Sequence, residues 1–191
     1  QTKIRAEIKG VAAHAGLAPE KGVSAIQVGA AAVSAMKLLR IDEETTANIG
    51  TFKAVGATNI VSPCACIEAE VRSRDNAKLE AQTKHMVECL EKACRDFGAK
   101  LDCQAATSYT GYTQPDDEPL VITVVEACKR LGLKPVIGST GGGSDANIMN
   151  ANGIKTVVLG TGMDKVHTTS ERITVKNLED TARLALELMR L

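Results

Sequence analysis

The sequence predicts an α+β protein: a β-α-β-β-α-β unit followed by a partial α/β segment. Three observations point there. TKIRAEIKG (2–10) and CACIEAEVRS (64–73) alternate apolar and polar residues with the period of two of a half-buried strand. Two longer stretches carry apolar residues at helical spacing behind a serine or aspartate cap. The texture then changes at YTGYTQPDDEP (109–119), where Pro115, an acidic pair and Pro119 mark a hinge.

The first strand, 2–10, leads into the loop VAAHAGLAPEKG with Gly16, Pro19 and Gly22. Ser24 caps a first helix, with Gln27 three residues on as in a capping box. That helix runs to about residue 39, is rich in alanine, and has Ile26, Val33 and Met36 among its apolar positions. TTANIGTFKA (45–54) is a second strand and 64–73 a third. Asp75 caps a second helix with the stripe Leu79, Thr83, Met86, Leu90, Ala93 and Phe97, and Gly98 ends it. AKLDCQAATS (99–108) is a fourth strand. The order is the split βαβ, or ferredoxin-like, pattern: an antiparallel sheet with two helices on one face. Beyond the hinge come a helix over about 119–131 closed by Gly132, a short strand KPVIG (134–138) and the loop STGGGSD. A short helix ANIMNAN, a strand KTVVLG (155–160), a polar loop and a final helix over about 176–190 complete the chain. With only two strands, this second segment reads as an incomplete piece of an α/β sheet.

Lysine plus arginine equal aspartate plus glutamate, 23 each, in 191 residues. Zero net charge argues against a general nucleic-acid or membrane-surface binder. No apolar run approaches the ~20 residues that span a bilayer. Of six cysteines, none forms a C-x-x-C pair. Cys64 and Cys66 share one face of a strand, and Cys103 and Cys128 fall in apolar surroundings. Most read as small buried thiols in a reducing cytoplasm, a reading favoured over a cysteine metal or redox site.

Chemistry centres on a few loops. There are three histidines, His14, His85 and His167. His167 lies in LGTGMDKVHTTSERI, at the exit of an apolar strand, and is a candidate metal ligand; a catalytic zinc needs about three protein ligands. His14, in AAHAGLAPE, is either a catalytic loop residue or one that only caps and packs. His85 lies inside the second helix beside the stripe and reads as structural or surface. GSTGGGSDAN (138–147) has neither the Walker nor the dinucleotide spacing. It is either a loop whose backbone approaches a ligand near a helix N-terminus, or a tight turn with Ser144 or Asp145 as N-cap. Asn59, in GATNIVS, is a turn residue or a ligand-binding amide. Arg72 and Arg74 share a strand face, where an arginine covers the sheet or binds a carboxylate bidentately.

In order, HAGLAPEKGVSAI, ATNIV with EVRSRD, STGGGSDANIMNANGI and LGTGMDKVHTTSERI resemble the dinuclear-zinc M20 peptidases, closest to the tripeptidase or peptidase T-like branch. The resemblance covers essentially the whole chain. It implies that residues 1–110 are a ferredoxin-like lid and dimerisation domain, and that 111–191 are the C-terminal part of a zinc-peptidase catalytic domain. It implies a short peptide substrate, a homodimer formed through the lid, and two zinc ions in the complete enzyme. His14 matches the lid histidine that reaches the partner subunit's active site and stabilises the oxyanion. Asn59 and Arg72 match lid residues that bind substrate. Gly141, Gly142 and Gly143 match the pocket-lining loop, and His167 the last ligand of one zinc. One departure is NIVSPCAC, where the family commonly has its proline one place earlier. The remaining ligands and the general base lie N-terminal to the lid in that family. The chain is therefore expected to be a fragment of the hydrolase, inactive alone.

Two rivals remain. An M20-type deacylase or carboxypeptidase shares the site architecture. A non-catalytic ferredoxin-like small-molecule-binding module fits the first half, but needs neither GGGSDAN nor KVHTTSE. An RNA-binding version would want aromatics on the sheet, and the chain has only two Phe, two Tyr and no Trp.

Overall fold

The computed structural model describes residues 1–190. They divide into two compact units, Gln1–Gly111 and a second that begins at Tyr112.

In the first unit, β1 (Thr2–Lys9), α1 (Ala25–Ala35), β3 (Thr45–Lys53), β4 (Cys64–Ser73), α2 (Asn76–Phe97) and β5 (Lys100–Thr107) form the predicted β-α-β-β-α-β order. A two-residue strand, β2 (Leu39–Arg40), is added between α1 and β3. The sheet is antiparallel throughout, in the order β2-β3-β4-β1-β5. Alternation decides its faces: Ile4, Ala6 and Ile8 of β1 and Ala65, Ile67 and Val71 of β4 are buried with Val28 and Ala32 of α1 and Met86 and Leu90 of α2. The intervening Lys3, Arg5 and Glu68 stay exposed.

The helices begin where their caps predict. Gln27 N donates to Ser24 Oγ (3.4 Å) and Lys78 N to Asp75 Oδ1 (2.9 Å). Gly98 closes α2 with φ +73°. The buried line of α2 differs from the predicted stripe. Gln82 and Cys94 are buried, whereas Thr83 is half-buried and Phe97 is exposed. A polar residue fits inside because Gln82 Nε2 donates to Lys37 O (2.8 Å). His85 is half-buried in α2, and its Nε2 accepts from Lys37 N (3.1 Å). α1 is shorter than predicted: Met36, already extended at φ −74° and ψ 142°, ends it, and β2 opens at Leu39 with φ +66°.

The second unit contains α3 (Pro119–Arg130), α4 (Asp145–Ala151) and α5 (Val175–Leu188). α3 and α5 pack together and are joined by Arg130 Nε donating to Glu187 Oε1 (2.7 Å). The two strands expected at 134–138 and 155–160 do not form. A strand needs a neighbouring strand for its ladder, and these two runs do not pair with each other. Pro135 also has no N–H to donate. Val136, Ile137, Ile154 and Val158 are left exposed. The buried residues of this unit, among those described, are Ala127, Cys128, Ala146 and Asn147. All six cysteines are free, with Cys94 and Cys128 buried and the others half-buried. No helix among the described residues is long and apolar enough to cross a membrane.

Candidate functional site

Three loop segments interlock at one end of the first unit's sheet. β1 ends at Lys9, and Gly10 N donates to Pro63 O (2.8 Å). Val11 and Val23 exchange both backbone bonds (3.0 and 2.9 Å). Val61 N donates to Ala13 O and Ala15 N to Asn59 O, each at 2.9 Å, so His14 lies opposite Ile60 in an antiparallel bridge. Ala25 N donates to Ser62 O (2.9 Å), which ties the start of α1 to the same platform. Every segment is therefore held on both sides by main-chain bonds, although none belongs to the main sheet.

The structure thus brings His14 and Asn59 together on one platform. Both are exposed. The His14 ring is not idle: Gly16 N donates to its Nδ1 (3.2 Å). A groove of about 510 Å³, lined by Pro19, Ser24, Gln27, Thr58 and Ile60 among others, opens on this platform.

Gly10 is the close-packed point. A Cβ there would lie 2.0 Å from Val23 O, a backbone atom that cannot swing away. Gly10→Ala is expected to force the loop layers apart and destabilise the unit by about 1–3 kcal/mol or more, the usual range for overpacking. Urea unfolding followed by circular dichroism checks this; an unchanged midpoint would contradict the close approach.

Arg72 is not part of that platform. It lies eight residues beyond Cys64 on β4, about 26 Å along a strand. Its guanidinium is engaged by its own strand: Nε donates to Glu70 Oε1 (2.7 Å) and Nη2 to Glu70 Oε2 (3.3 Å). Gln1 Nε2 donates to the same carboxylate (2.7 Å). Hydrogen bonding from Arg72 holds the Glu70 carboxyl below its ordinary range, against an opposing effect of burial, and the pairing raises Arg72 in turn. The carboxylate this arginine binds bidentately is internal. A substrate carboxylate would have to displace Glu70 or use the donors that remain.

In the second unit, Gly141, Gly142 and Gly143 are exposed. Gly142 N donates to Thr140 Oγ1 (3.2 Å). The end of this loop is an N-cap: Ser144 N donates to Asn147 Oδ1 and Asn147 N to Ser144 O, both at 3.0 Å. α4 has only seven residues, and this local geometry is that of the tight turn. Asn150, which sequence reasoning missed, fastens the segment. It donates to Ala146 O and Thr156 O (both 2.8 Å) and accepts from Gln114 Nε2 (2.6 Å) and Thr156 N (3.2 Å).

His167 sits in a closed loop. Asp164 and Arg172 exchange backbone bonds (2.9 and 3.1 Å), and Arg172 Nη2 meets Asp164 Oδ2 (2.9 Å). Inside it, Lys165 and His167 have φ of +52° and +64°. The strain is held by His167 N donating to Glu171 Oε2 (2.6 Å) and Thr168 Oγ1 to Lys165 O (2.8 Å). Gly162, at φ +77°, lets the loop turn under Asn177, whose Nδ2 donates to Gly162 O (3.0 Å). The His167 side chain is exposed. Among the described residues no three His, Cys, Asp or Glu come together as a metal site. The residues present therefore do not make up a catalytic zinc centre, which needs about three protein ligands.

The chain is similar to known proteins along its whole length. Residues 2–97 match the family model of the peptidase dimerisation domain, and residues 98–184 that of M42 glutamyl aminopeptidase. Protein YqjE of Bacillus subtilis, itself uncharacterized, is 40% identical over 189 residues, 99% of this chain and 51% of that protein. Peptidase T of Fusobacterium nucleatum is 24% identical over 97% of this chain and 45% of its own length. Two crystal structures superpose closely. Aminopeptidase PepT of Bacillus cereus has a TM-score of 0.87 at 43% identity, over 98% of this chain and 50% of that one. A tripeptidase of Staphylococcus aureus has a TM-score of 0.91 at 42% identity, over 99% and 50%. The chain spans about half the length of the relatives it matches. The dimerisation-domain match takes in half of the chain and covers all but the last strand of the β-α-β-β-α-β unit, and the chain belongs to the M20 family of peptidases.

Proposed function

We propose that residues 1–110 are the lid and dimerisation domain, and 111–191 the C-terminal part of the catalytic domain, of an exopeptidase that trims short peptides as an aminotripeptidase does. The observation that carries this is the platform that presents His14 and Asn59 together, on a chain 42% identical to a tripeptidase. An exposed imidazole held by its loop can donate to an oxyanion developing on the scissile carbonyl. Asn59 supplies a second exposed polar side chain on the same platform. Gly141, Gly142 and Gly143 line the substrate pocket in this reading, and Arg72 contacts substrate. Two zinc ions are the metal implied for the complete enzyme, and His167 is this chain's contribution to them. Free cysteines throughout accord with a reducing cytoplasm.

The complete enzyme, offered a tripeptide, is expected to release the N-terminal residue and to lose this activity to a chelator. Helicobacter pylori succinyl-diaminopimelate desuccinylase, 28% identical over 127 residues, supplies the second reading. Rapid cleavage of N-succinyl amino acids with no tripeptide turnover would establish that reading instead.

The lid forms a homodimer in this reading. β2 covers only Thr46 and Ala47 of β3, so the rest of β3 lies on an open edge. TTANIGTF has no charge or proline to blunt that edge, and two such edges can pair across a two-fold axis. A dimer also reconciles His14 with Arg72. The ~26 Å of strand between their ends of the sheet exceeds the ~10 Å span of an extended tripeptide. One substrate could touch both residues only if they come from different subunits. Light scattering should give a dimer of the complete enzyme; monomer alone at high micromolar concentration would refute it.

A further inference from the structure

We infer that the Gly16 amide fixes His14 as its Nε2–H tautomer, so that the ring offers a hydrogen-bond donor outward from the loop platform. The catalytic value of that donor rests on the peptidase reading above; the tautomer itself does not.

A backbone N–H can only donate. Gly16 N at 3.2 Å from His14 Nδ1 therefore requires a lone pair on Nδ1, and in the neutral ring the proton is then on Nε2. The arrangement follows from the local chain path. His14 O accepts from Leu17 N (3.2 Å) and Ala18 N (3.1 Å), which curls residues 14–18 into a turn. The Gly16 amide inside that turn points back at the side chain that begins it. The bonds from Val61 N to Ala13 O and Ala15 N to Asn59 O pin the backbone on either side of His14. The amide matters here, not the missing side chain. A Cβ at position 16 would sit 3.7 Å from Cε1 and 3.8 Å from Nδ1, ordinary contact distances.

The consequence is a division of labour. A ring held as Nε2–H has no lone pair on Nε2 and cannot take a proton there. Gly16 is thus a positioning residue: it favours His14 as a donor to a carbonyl oxygen over His14 as a general base.

The chain carries its own reference. His85 Nε2 accepts from Lys37 N (3.1 Å), so His85 is held as the opposite, Nδ1–H, tautomer. With three histidines, ring correlations of the ¹⁵N-labelled chain are assignable. His14 is expected to show a protonated Nε2 and a bare Nδ1 with a scalar coupling across the hydrogen bond to Gly16 N, and His85 the reverse. A protonated His14 Nδ1, or an even mixture without that coupling, overturns the inference. Gly16→Ala should keep the pattern and Gly16→Pro, lacking the donor, should lose it. Because proline also disturbs the turn, the unsubstituted chain decides. Turnover of His14→Ala in the complete enzyme separately tests the peptidase reading. Wild-type turnover with the tautomer found as stated would remove the catalytic role and leave the tautomer standing.

Discussion

His14→Ala in the complete enzyme is expected to lower turnover about 100- to 1,000-fold while metal content stays at the wild-type level. The magnitude is that of losing one oxyanion donor, about 2.7–4 kcal/mol of transition-state stabilisation. The separation of rate from metal content follows from the chain itself. His14 stands on the loop platform of the first unit, whereas the candidate metal ligand His167 stands in the second. Deleting the imidazole removes its bond from Gly16 N but leaves the main-chain bonds of Ala13, Ala15 and Val61 in place. The platform should survive, so KM should change far less than kcat. Turnover measured against a tripeptide, with metal analysis on the same sample, checks both halves. A mutant with wild-type turnover would reduce His14 to a residue that closes its own turn. A mutant that loses metal would point to folding damage or direct ligation.

Elements whose pattern is local were legible from the sequence. β4 begins and ends where alternation begins and ends, at Cys64 and Ser73, and both long helices start at the cap residues expected. β2 was not legible because it is two residues long and depends on Leu39 entering the left-handed region, which no residue preference announces for a leucine. The stripe of α2 drifted because sequence ranks Thr83 and Phe97 above Gln82 as core residues. Gln82 is buried only because a carbonyl 45 residues away accepts its amide. The second unit shows the other limit. KPVIG and KTVVLG are apolar enough to demand burial, but apolar runs do not supply a pairing partner. Without one they remain irregular, with Val136 84% exposed. Of the candidate site, the resemblance named His14 and Asn59 separately. That they share one platform depends on Gly10 letting backbone approach backbone, and a glycine after a strand was the one available sign of it.

Residues 1–191 on their own are expected to hydrolyse no peptide, with or without added zinc. The strongest candidate ligand, His167, is exposed on a loop. Glu171 of that loop already accepts the His167 backbone N–H at 2.6 Å. The other two histidines belong to the first unit, one bonded to Gly16 N and the other to Lys37 N. No three ligand-type side chains converge among the described residues. A single imidazole cannot hold a tetrahedral site with an open position, so zinc added in solution would find nowhere to be fixed. A metal held by one ligand would also lack a positioned base to take the proton of its water. The assay should therefore stay at the blank rate for a tripeptide, and dialysis should strip any zinc to well below one ion per chain. Two ions retained per chain, or turnover that a chelator abolishes, would show that ligands assemble here in a way the described geometry does not contain.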